Sequence, residues 1–420
     1  MNVLFLTLVQ FETLQERNIY TDLLREFIKH GHQVCAISPV ERRQNQGTHL
    51  IHENNSTILR LQIGNTQKTN IIEKGISTIL IEPQFKKAIK KYFSDVKFDL
   101  VLYSTPPITL VSAIEYVKKR DGAKTYLLLK DIFPQNAVDI GMMSTTGVKS
   151  LLYKHFRGKE KKLYAISDYI GCMSSANVQY VINNNPEIPK EKVCVCPNSI
   201  EVIDKSIDFE TRKKIRNKYA IPLEKKVLVY GGNLGKPQGI PFLISCLHKC
   251  ENIKDAFFLI VGNGTEYGLI EEYLRNSKQQ NMKLMKQLPK EDYETLVGAC
   301  DIGMIFLDYR FTIPNFPSRM LSYMAANIPI FACTDKNTDI GSIIVDGKFG
   351  WWCESNNSDL VKKKIEDILL TMSITEMGKN AYEYLKENYT AEKSYEIINK
   401  NNYIVQTVDK VRGYASGFDI

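Results

Sequence analysis

The chain has 420 residues, 44% hydrophobic and 24% charged, which suits about two to three folded domains and excludes a disordered, collagen-like or disulfide-built protein. The net charge of +8 lies wholly in the first half, with 26 Lys+Arg against 18 Asp+Glu over 1–200 and 29 against 29 over 201–420. Such a bias fits an anionic partner, a phospholipid surface or a pyrophosphate-linked substrate, or solvated lysine faces alone.

Nine scattered cysteines, with no CxxC pair and no metal-type His/Cys spacing, read as reduced and mostly buried thiols. No apolar run reaches the ~18 to 20 residues of a membrane helix. The opening MNVLFLTLV lacks a basic region and a small-residue cleavage site, so the expectation is a cytoplasmic protein.

In chain order, a strand over Val3–Val9 leads to a helix on which Leu23, Leu24, Phe27 and Ile28 share a face, ended by Gly31. The strand QVCAIS follows. Then come DLVLYS, a helix near 108–119, the strand TYLLL, a helix near 149–167, and the strands DYIGCMS and KVCVCPN. After a charged connector the alternation restarts with KKVLVYGGN, AFFLIVGNG, KLMKQL, IGMIFL and IPIFAC, separated by helices. A last helical stretch near 377–411 ends in GYASGFD, a tail expected to fray. Strands alternating with helices imply α/β architecture: two doubly wound parallel-sheet domains, over 1–200 and 201–394, with 395–420 returning to the first. Ligands of such sheets sit beyond the strands' carboxyl ends, in a cleft between the domains.

Gly231-Gly232-Asn233-Leu234-Gly235-Lys236-Pro237-Gln238-Gly239 has four glycines in nine residues, directly between a strand and a helix. Glycines let backbone amides approach a phosphate, the helix start adds a favourable dipole, and Lys236 supplies a mobile cation. The pattern is neither a Walker loop nor GxGxxG. A plain strand-to-helix turn is the alternative.

The segment Pro314-Asn315-Phe316-Pro317-Ser318-Arg319-Met320-Leu321-Ser322-Tyr323-Met324-Ala325-Ala326-Asn327-Ile328-Pro329-Ile330 resembles the C-terminal signature of family 4 retaining glycosyltransferases. There a Glu, seven residues and a second Glu precede Ala-Met-Ala-x-Gly-x-Pro-Val. Phe316, Leu321, Met324, Ala325, Pro329 and Ile330 match. Pro314 and Ser322 stand where the two Glu belong, and Asn327 replaces the Gly. Pro317-Ser318-Arg319 is similar to the branch that makes bacterial capsule, O-antigen and colanic-acid-type polysaccharides. The same branch resembles this chain at GGNLGKPQG, where Asn233 and Gln238 occupy the wider family's Arg and Lys positions. Thr105-Pro106-Pro107, Lys130-Asp131-Ile132-Phe133-Pro134 and Cys196-Pro197-Asn198-Ser199 extend the resemblance over most of the chain.

The resemblance implies a GT-B fold, with a nucleotide-sugar held mainly by the C-terminal domain and an acceptor by the N-terminal one. It implies retaining transfer without metal or other cofactor, from a UDP-hexose or UDP-N-acetylamino sugar to a polyprenyl-diphosphate-linked oligosaccharide in surface-polysaccharide assembly. Polysaccharide-assembly proteins would be its partners. Lys236 and Arg319 would neutralise the departing diphosphate. Gly231, Gly232, Asn233, Gln238, Phe316, Pro317, Ser318 and Ser322 would line the donor site, joined by Arg17 and Asn198. Ser322 cannot supply a carboxylate's bidentate contact, so Asp308, Asp335 or Asp339 is a candidate substitute.

Asp131, after TYLLLK, would orient or deprotonate the acceptor hydroxyl, or else act as a helix cap. His30 and His32, with one residue between them, read as structural. The basic stretches 83–93, with Phe85 and Ile89 as apolar positions, and 149–164 are either solvated helix faces or a peripheral contact with an anionic leaflet. No nucleic-acid motif accompanies them. A nucleotide-sugar epimerase of the same fold and a catalytically silent partner subunit are the competing readings.

Overall fold

A computed structural model describes residues 1–66, 69–148, 150–277 and 280–400. Lys149, the tail GYASGFD and the far part of the expected returning segment lie outside them. The chain forms two compact units: 1–138, 143–201 and the described residues from 391 onward in the first, 139–142 and 202–390 in the second.

In chain order the first unit contains β1 (Asn2–Leu6), α1 (Ile19–Lys29), β2 (Gln33–Glu41), β3 (His49–Glu53), β4 (Ser56–Ile63), α2 (Ile71–Tyr92), β5 (Leu100–Ser104) and α3 (Val111–Asp121). It continues with β6 (Lys124–Leu129), α4 (Gln135–Asp139), whose last residue falls in the second unit, α5 (Ser150–Ile166), β7 (Tyr169–Cys172), α6 (Ser175–Asn184) and β8 (Val193–Val195). The sheet order is β3-β4-β2-β1-β5-β6-β7-β8, parallel except for the β3–β4 hairpin. The runs VLFL and LVLY are buried residue by residue, as strands covered on both faces must be.

Local chemistry sets the ends of α1. Asn18 Oδ1 accepts from the amides of Tyr20 and Thr21 while Thr21 Oγ1 accepts from the Asn18 amide, a reciprocal cap. Beyond the helix Gly31 takes φ 77°, which a β-carbon disfavours. His32 then donates to or accepts from Tyr395 Oη at 2.9 Å, and His30 stacks on the same ring at 4.1 Å, so both histidines are structural. Tyr395 and Ile398 belong to the first unit's core, which places the helical residues 391–400 in that unit.

The second unit runs α7 (Phe209–Lys218), β9 (Lys226–Asn233), α8 (Ile240–Lys249), β10 (Ala256–Asn263), α9 (Tyr267–Asn276), β11 (Met282–Lys286), α10 (Lys290–Gly298) and β12 (Ile302–Phe306). It closes with α11 (Arg319–Ala325), β13 (Ile330–Thr334), α12 (Ile340–Asp346), β14 (Gly350–Glu354), α13 (Ser358–Leu369) and α14 (Ile374–Asn388). Its sheet is wholly parallel, in the order β11-β10-β9-β12-β13-β14. The connector before β9 is anchored by Arg216. This fully buried side chain bonds Asp301 at 2.7 Å and the carbonyls of Ala299, Pro222, Leu223 and Lys225.

The expected single helix near 377–411 is instead α14, a break at Tyr389 and Thr390, and a separate helical run over 391–400. The nine cysteines form no disulfide. Among the described residues no helix is long and apolar enough to cross a membrane.

Candidate active site

Strand β9 ends in Gly231-Gly232-Asn233, and its parallel register sets Gly231 beside Val261 and Gly232 beside Gly262 of β10. Crowding selects these glycines. A β-carbon on Gly231 would stand 1.7 Å from Tyr293 Oη, and one on Gly262 2.0 Å from the Gly232 carbonyl oxygen. Gly232 itself has φ 120°, open only to glycine at low cost.

Above this turn lies Arg319, the first residue of α11. Its guanidinium carbon is 3.5 Å from where a Gly232 β-carbon would be, and 4.5 Å from the centre of the Tyr230 ring. Tyr323 Oη accepts from the Gly231 amide at 3.2 Å and donates to the Met304 carbonyl at 3.1 Å. Burial pushes the Tyr323 phenol up to about 12, so it remains a protonated donor. Arg319 Nη1 is buried and meets no hydrogen-bond acceptor among the described residues. A buried cationic N–H with no acceptor is rare and points to a missing anion. Beside it opens a cleft of about 480 Å³ lined by Gly232, Asn233, Val261, Gly262, Asn263, Gln287, Leu288, Lys290 and Tyr293.

Asn233 and Gln238 hold each other: Asn233 Nδ2 donates to Gln238 Oε1 at 3.1 Å, and the Gly235 amide donates to the same oxygen at 3.3 Å. The two amides thus close the loop rather than offer it charge. Lys236 is exposed and borders a different cleft, about 330 Å³, with Gly239, Glu266, Asp308, Tyr309 and Arg310 among its walls. Loop residues Gly232 and Asn233 therefore face one cleft while Lys236 and Gly239 face the other.

The remaining expected donor residues divide by burial. Phe316 is 4% exposed and packs against Tyr389 with ring centres 6.1 Å apart, so it is a core side chain here and not a substrate contact. Pro317 and Ser322 are half-buried, and Ser318 is exposed just before α11. Asp308 is taken up by Arg310 in a bidentate pair at 2.9 and 2.7 Å. Asp335 folds its own loop, accepting from the amides of Asn337 at 2.8 Å and Thr338 at 3.1 Å, and burial lifts its carboxyl to about 6. Asp339 immediately precedes α12. Among the described residues no cluster of three or more His, Cys, Asp or Glu is arranged to hold a metal ion.

In the first unit, Asp131 follows β6 and is half-buried. Both its carboxylate oxygens accept from Asn136 Nδ2 at 2.8 Å, and burial raises its pKa to about 6 against those hydrogen bonds. Its neighbour Lys130 reaches the Cys196 carbonyl at 3.2 Å, with a pKa lowered by burial. Asn198 is buried, donating to Met173 Sδ at 3.4 Å while its Oδ1 has no donor among the described residues. Arg17 donates to the Glu201 carbonyl at 3.2 Å.

Gln287, Leu288, Lys290 and Tyr293 are site residues that motif reading missed. Their signal was positional: they follow β11, and Val261 to Asn263 end β10, at the carboxyl edge shared with the glycine turn.

Two α/β units built on parallel sheets in these strand orders are the architecture of the GT-B fold. The chain superposes on a sucrose-phosphate synthase from Thermosynechococcus elongatus with TM-score 0.75 and 14% identity, covering 97% of this chain and 100% of that one. WaaG, a glycosyltransferase involved in lipopolysaccharide biosynthesis, gives TM-score 0.65 at 13% identity over 94% and 99% of the two chains. Anabaena HepE in complex with UDP and glucose gives 0.68 at 13% over 95% and 98%. By sequence the chain is 25% identical over 338 residues to the probable glycosyltransferase WbjE of Pseudomonas aeruginosa, covering 77% of this chain and 79% of that protein. It is 24% identical over 219 residues to the putative colanic acid biosynthesis glycosyl transferase WcaI of Escherichia coli K12, about half of each chain at 49%. Residues 211–387 match the family Glycosyl transferases group 1, and the chain is a glycosyltransferase carrying that domain.

Proposed function

We propose that this glycosyltransferase moves a sugar from a UDP-hexose or UDP-N-acetylamino sugar to a polyprenyl-diphosphate-linked oligosaccharide in bacterial surface-polysaccharide assembly. The anomeric configuration is retained and no metal takes part. The observation that carries the donor half is the Arg319 guanidinium, stacked on Tyr230 over the glycine turn with a buried N–H lacking an acceptor. A diphosphate at the turn would supply that acceptor, and the 480 Å³ cleft beside Gly232 has room for the nucleoside. The polysaccharide setting is supported by the similarity to WbjE and WcaI.

Calorimetric titration with UDP, UMP and GDP, without added metal, tests this reading. Micromolar UDP binding that needs the diphosphate is expected. Failure of every nucleotide to bind would replace the reading with that of a catalytically silent partner subunit.

Lys236 faces the second cleft and is assigned only a long-range share of the charge at the turn, without direct contact with the diphosphate. Because its side chain is exposed and solvent-screened, Lys236→Ala should weaken UDP binding by only about 0.2–1 kcal/mol. A loss larger than that of an Arg319 variant would exchange their roles.

Asp131 is assigned the task of orienting the acceptor hydroxyl and taking up its proton. Its folded pKa of about 6 exceeds the usual ~3.9, so any stability linked to it is present below about pH 4 and is lost as pH rises through 6. The carboxylate needed for catalysis forms over that same interval, so kcat should rise with pH through about 6. Asp131→Asn should lower kcat by roughly 100-fold or more, flatten that limb and leave UDP affinity unchanged. Normal transfer by the variant would remove Asp131 from the chemistry.

A further inference from the structure

The second cleft of the second unit, about 330 Å³, is left unused by the donor reading except for the distant charge of Lys236. It has no lining residue in common with the nucleotide cleft. Backbone contacts fix its walls. The Asp308 amide, just past β12, donates to the Pro237 carbonyl at 3.0 Å, and a β-carbon on Gly239 would stand 3.3 Å from Asp308 Cα. The Ser355 amide, just past β14, donates to the Thr334 carbonyl at 2.9 Å. The cleft therefore sits at the carboxyl edge of the second sheet, the side on which such sheets take ligands.

Two polar groups of this cleft lack partners. Ser355 is 1% exposed, and its Oγ makes no hydrogen bond among the described residues. Glu266 stands at the start of α9, yet its side chain caps no amide of that helix, and its Oε2 is buried and meets no donor among the described residues. A buried hydroxyl and a buried carboxylate oxygen left in this way are costly, and both belong to residues lining one cleft.

The walls select among ligands. An ionised carboxylate only accepts, so Glu266 calls for a donor, while the Ser355 hydroxyl can take either part. The charged lining residues balance, Glu266 and Asp308 against Lys236 and Arg310, and Arg310 is already held by Asp308 through Nε and Nη2 at 2.9 and 2.7 Å. A phosphate would meet two carboxylates, and an ammonium group would meet two cations. A neutral ligand rich in hydroxyl groups meets neither penalty. Tyr309, 54% exposed, and the half-buried Phe242 add aromatic surface for the apolar face of a ring. The volume is at the lower end of the ~300–1,000 Å³ of ligand clefts, which suits a saccharide ring better than a nucleotide.

We propose that this cleft is a second carbohydrate site, which holds one sugar residue of a glycan by hydrogen bonds to Glu266 and Ser355 with Tyr309 against the ring. It is separate from the place of the donor sugar, and the assignment does not depend on the donor reading.

Saturation-transfer NMR of the full chain with the methyl glycosides of glucose, galactose, mannose, rhamnose and N-acetylglucosamine tests it. At least one should bind saturably, and neither UDP-glucose nor UDP-N-acetylglucosamine should displace it. Glu266→Gln should weaken that binding roughly tenfold or more and Ser355→Ala about two- to tenfold, with melting temperature and UDP titration unchanged in both. Tyr309→Ala, at an exposed position that the fold does not need, should weaken it as well. Binding of none of the glycosides, displacement by either UDP-sugar, or unaltered affinity in the Glu266 and Ser355 variants overturns the proposal. So does displacement by inorganic phosphate or methylammonium, since an ion would then be the occupant.

Discussion

Arg319→Ala is expected to weaken UDP binding roughly 10- to 150-fold, the ~1.5–3 kcal/mol of one charge-assisted hydrogen bond, while UMP affinity stays within about a factor of two. The expectation follows from where the guanidinium stands: over Tyr230, against Gly232, with Nη1 buried and lacking an acceptor. Arg319→Lys keeps a charge but not the planar fork that stacks on Tyr230, so it should recover only part of the loss. The glycine loop offers no other buried cation, because Asn233 and Gln238 bond each other and Lys236 faces the second cleft. Parallel losses for UDP and UMP in calorimetry would mean that Arg319 merely props the turn.

Gly262→Ala should lower both stability and donor binding. Its new β-carbon would lie 2.0 Å from the Gly232 carbonyl oxygen, so backbone must move, and the backbone that moves is the turn bearing the proposed diphosphate contacts. Overpacking of this kind costs about 1–3 kcal/mol, or roughly 2–12 °C in melting temperature for a unit of this size. UDP titration should then show little or no binding. Gly268→Ala on α9 is the control, since nothing lies within 4 Å of its β-carbon position; that variant should keep UDP affinity and melt at or slightly above the parent. Unchanged UDP binding by Gly262→Ala would detach the turn from the donor site.

The alternation of apolar strands and amphipathic helices made the two parallel sheets legible, because buried parallel strands are continuous apolar runs such as VLFL and FFLIV. The β3–β4 hairpin was not legible: HLIHE and STILRLQI mix polar and apolar residues at a sheet edge, and the turn Glu53-Asn54-Asn55-Ser56 was the only signal. Trp351 and Trp352 on β14 were likewise passed over, half-buried at the opposite edge of the second sheet.

In the site, glycine spacing pointed to the turn, yet spacing carries no information about which way a side chain leaves it. Lys236 and Asn233 are three residues apart and border different clefts. Arg319 came from a resemblance, and its place over Tyr230 arises only when α11 packs on the end of β9, which spacing does not encode. Phe316 matched a motif but is core, since an aromatic in a signature serves packing as readily as binding.

Arg216 bears on how this protein can be taken apart. A fragment meant to isolate the second unit would naturally be cut just before Lys226, where the first strand of that sheet begins. Such a cut removes both guanidinium groups that face Asp301, at Arg212 and Arg216, and leaves a buried carboxylate whose low pKa depends on them. Lys205 also donates its amide to Ala325 at 2.7 Å and pairs with Glu294 at 3.0 Å. The seam between modules therefore lies upstream of Lys205, and shuffling second units between relatives must carry the whole charged connector along with the sheet it seals.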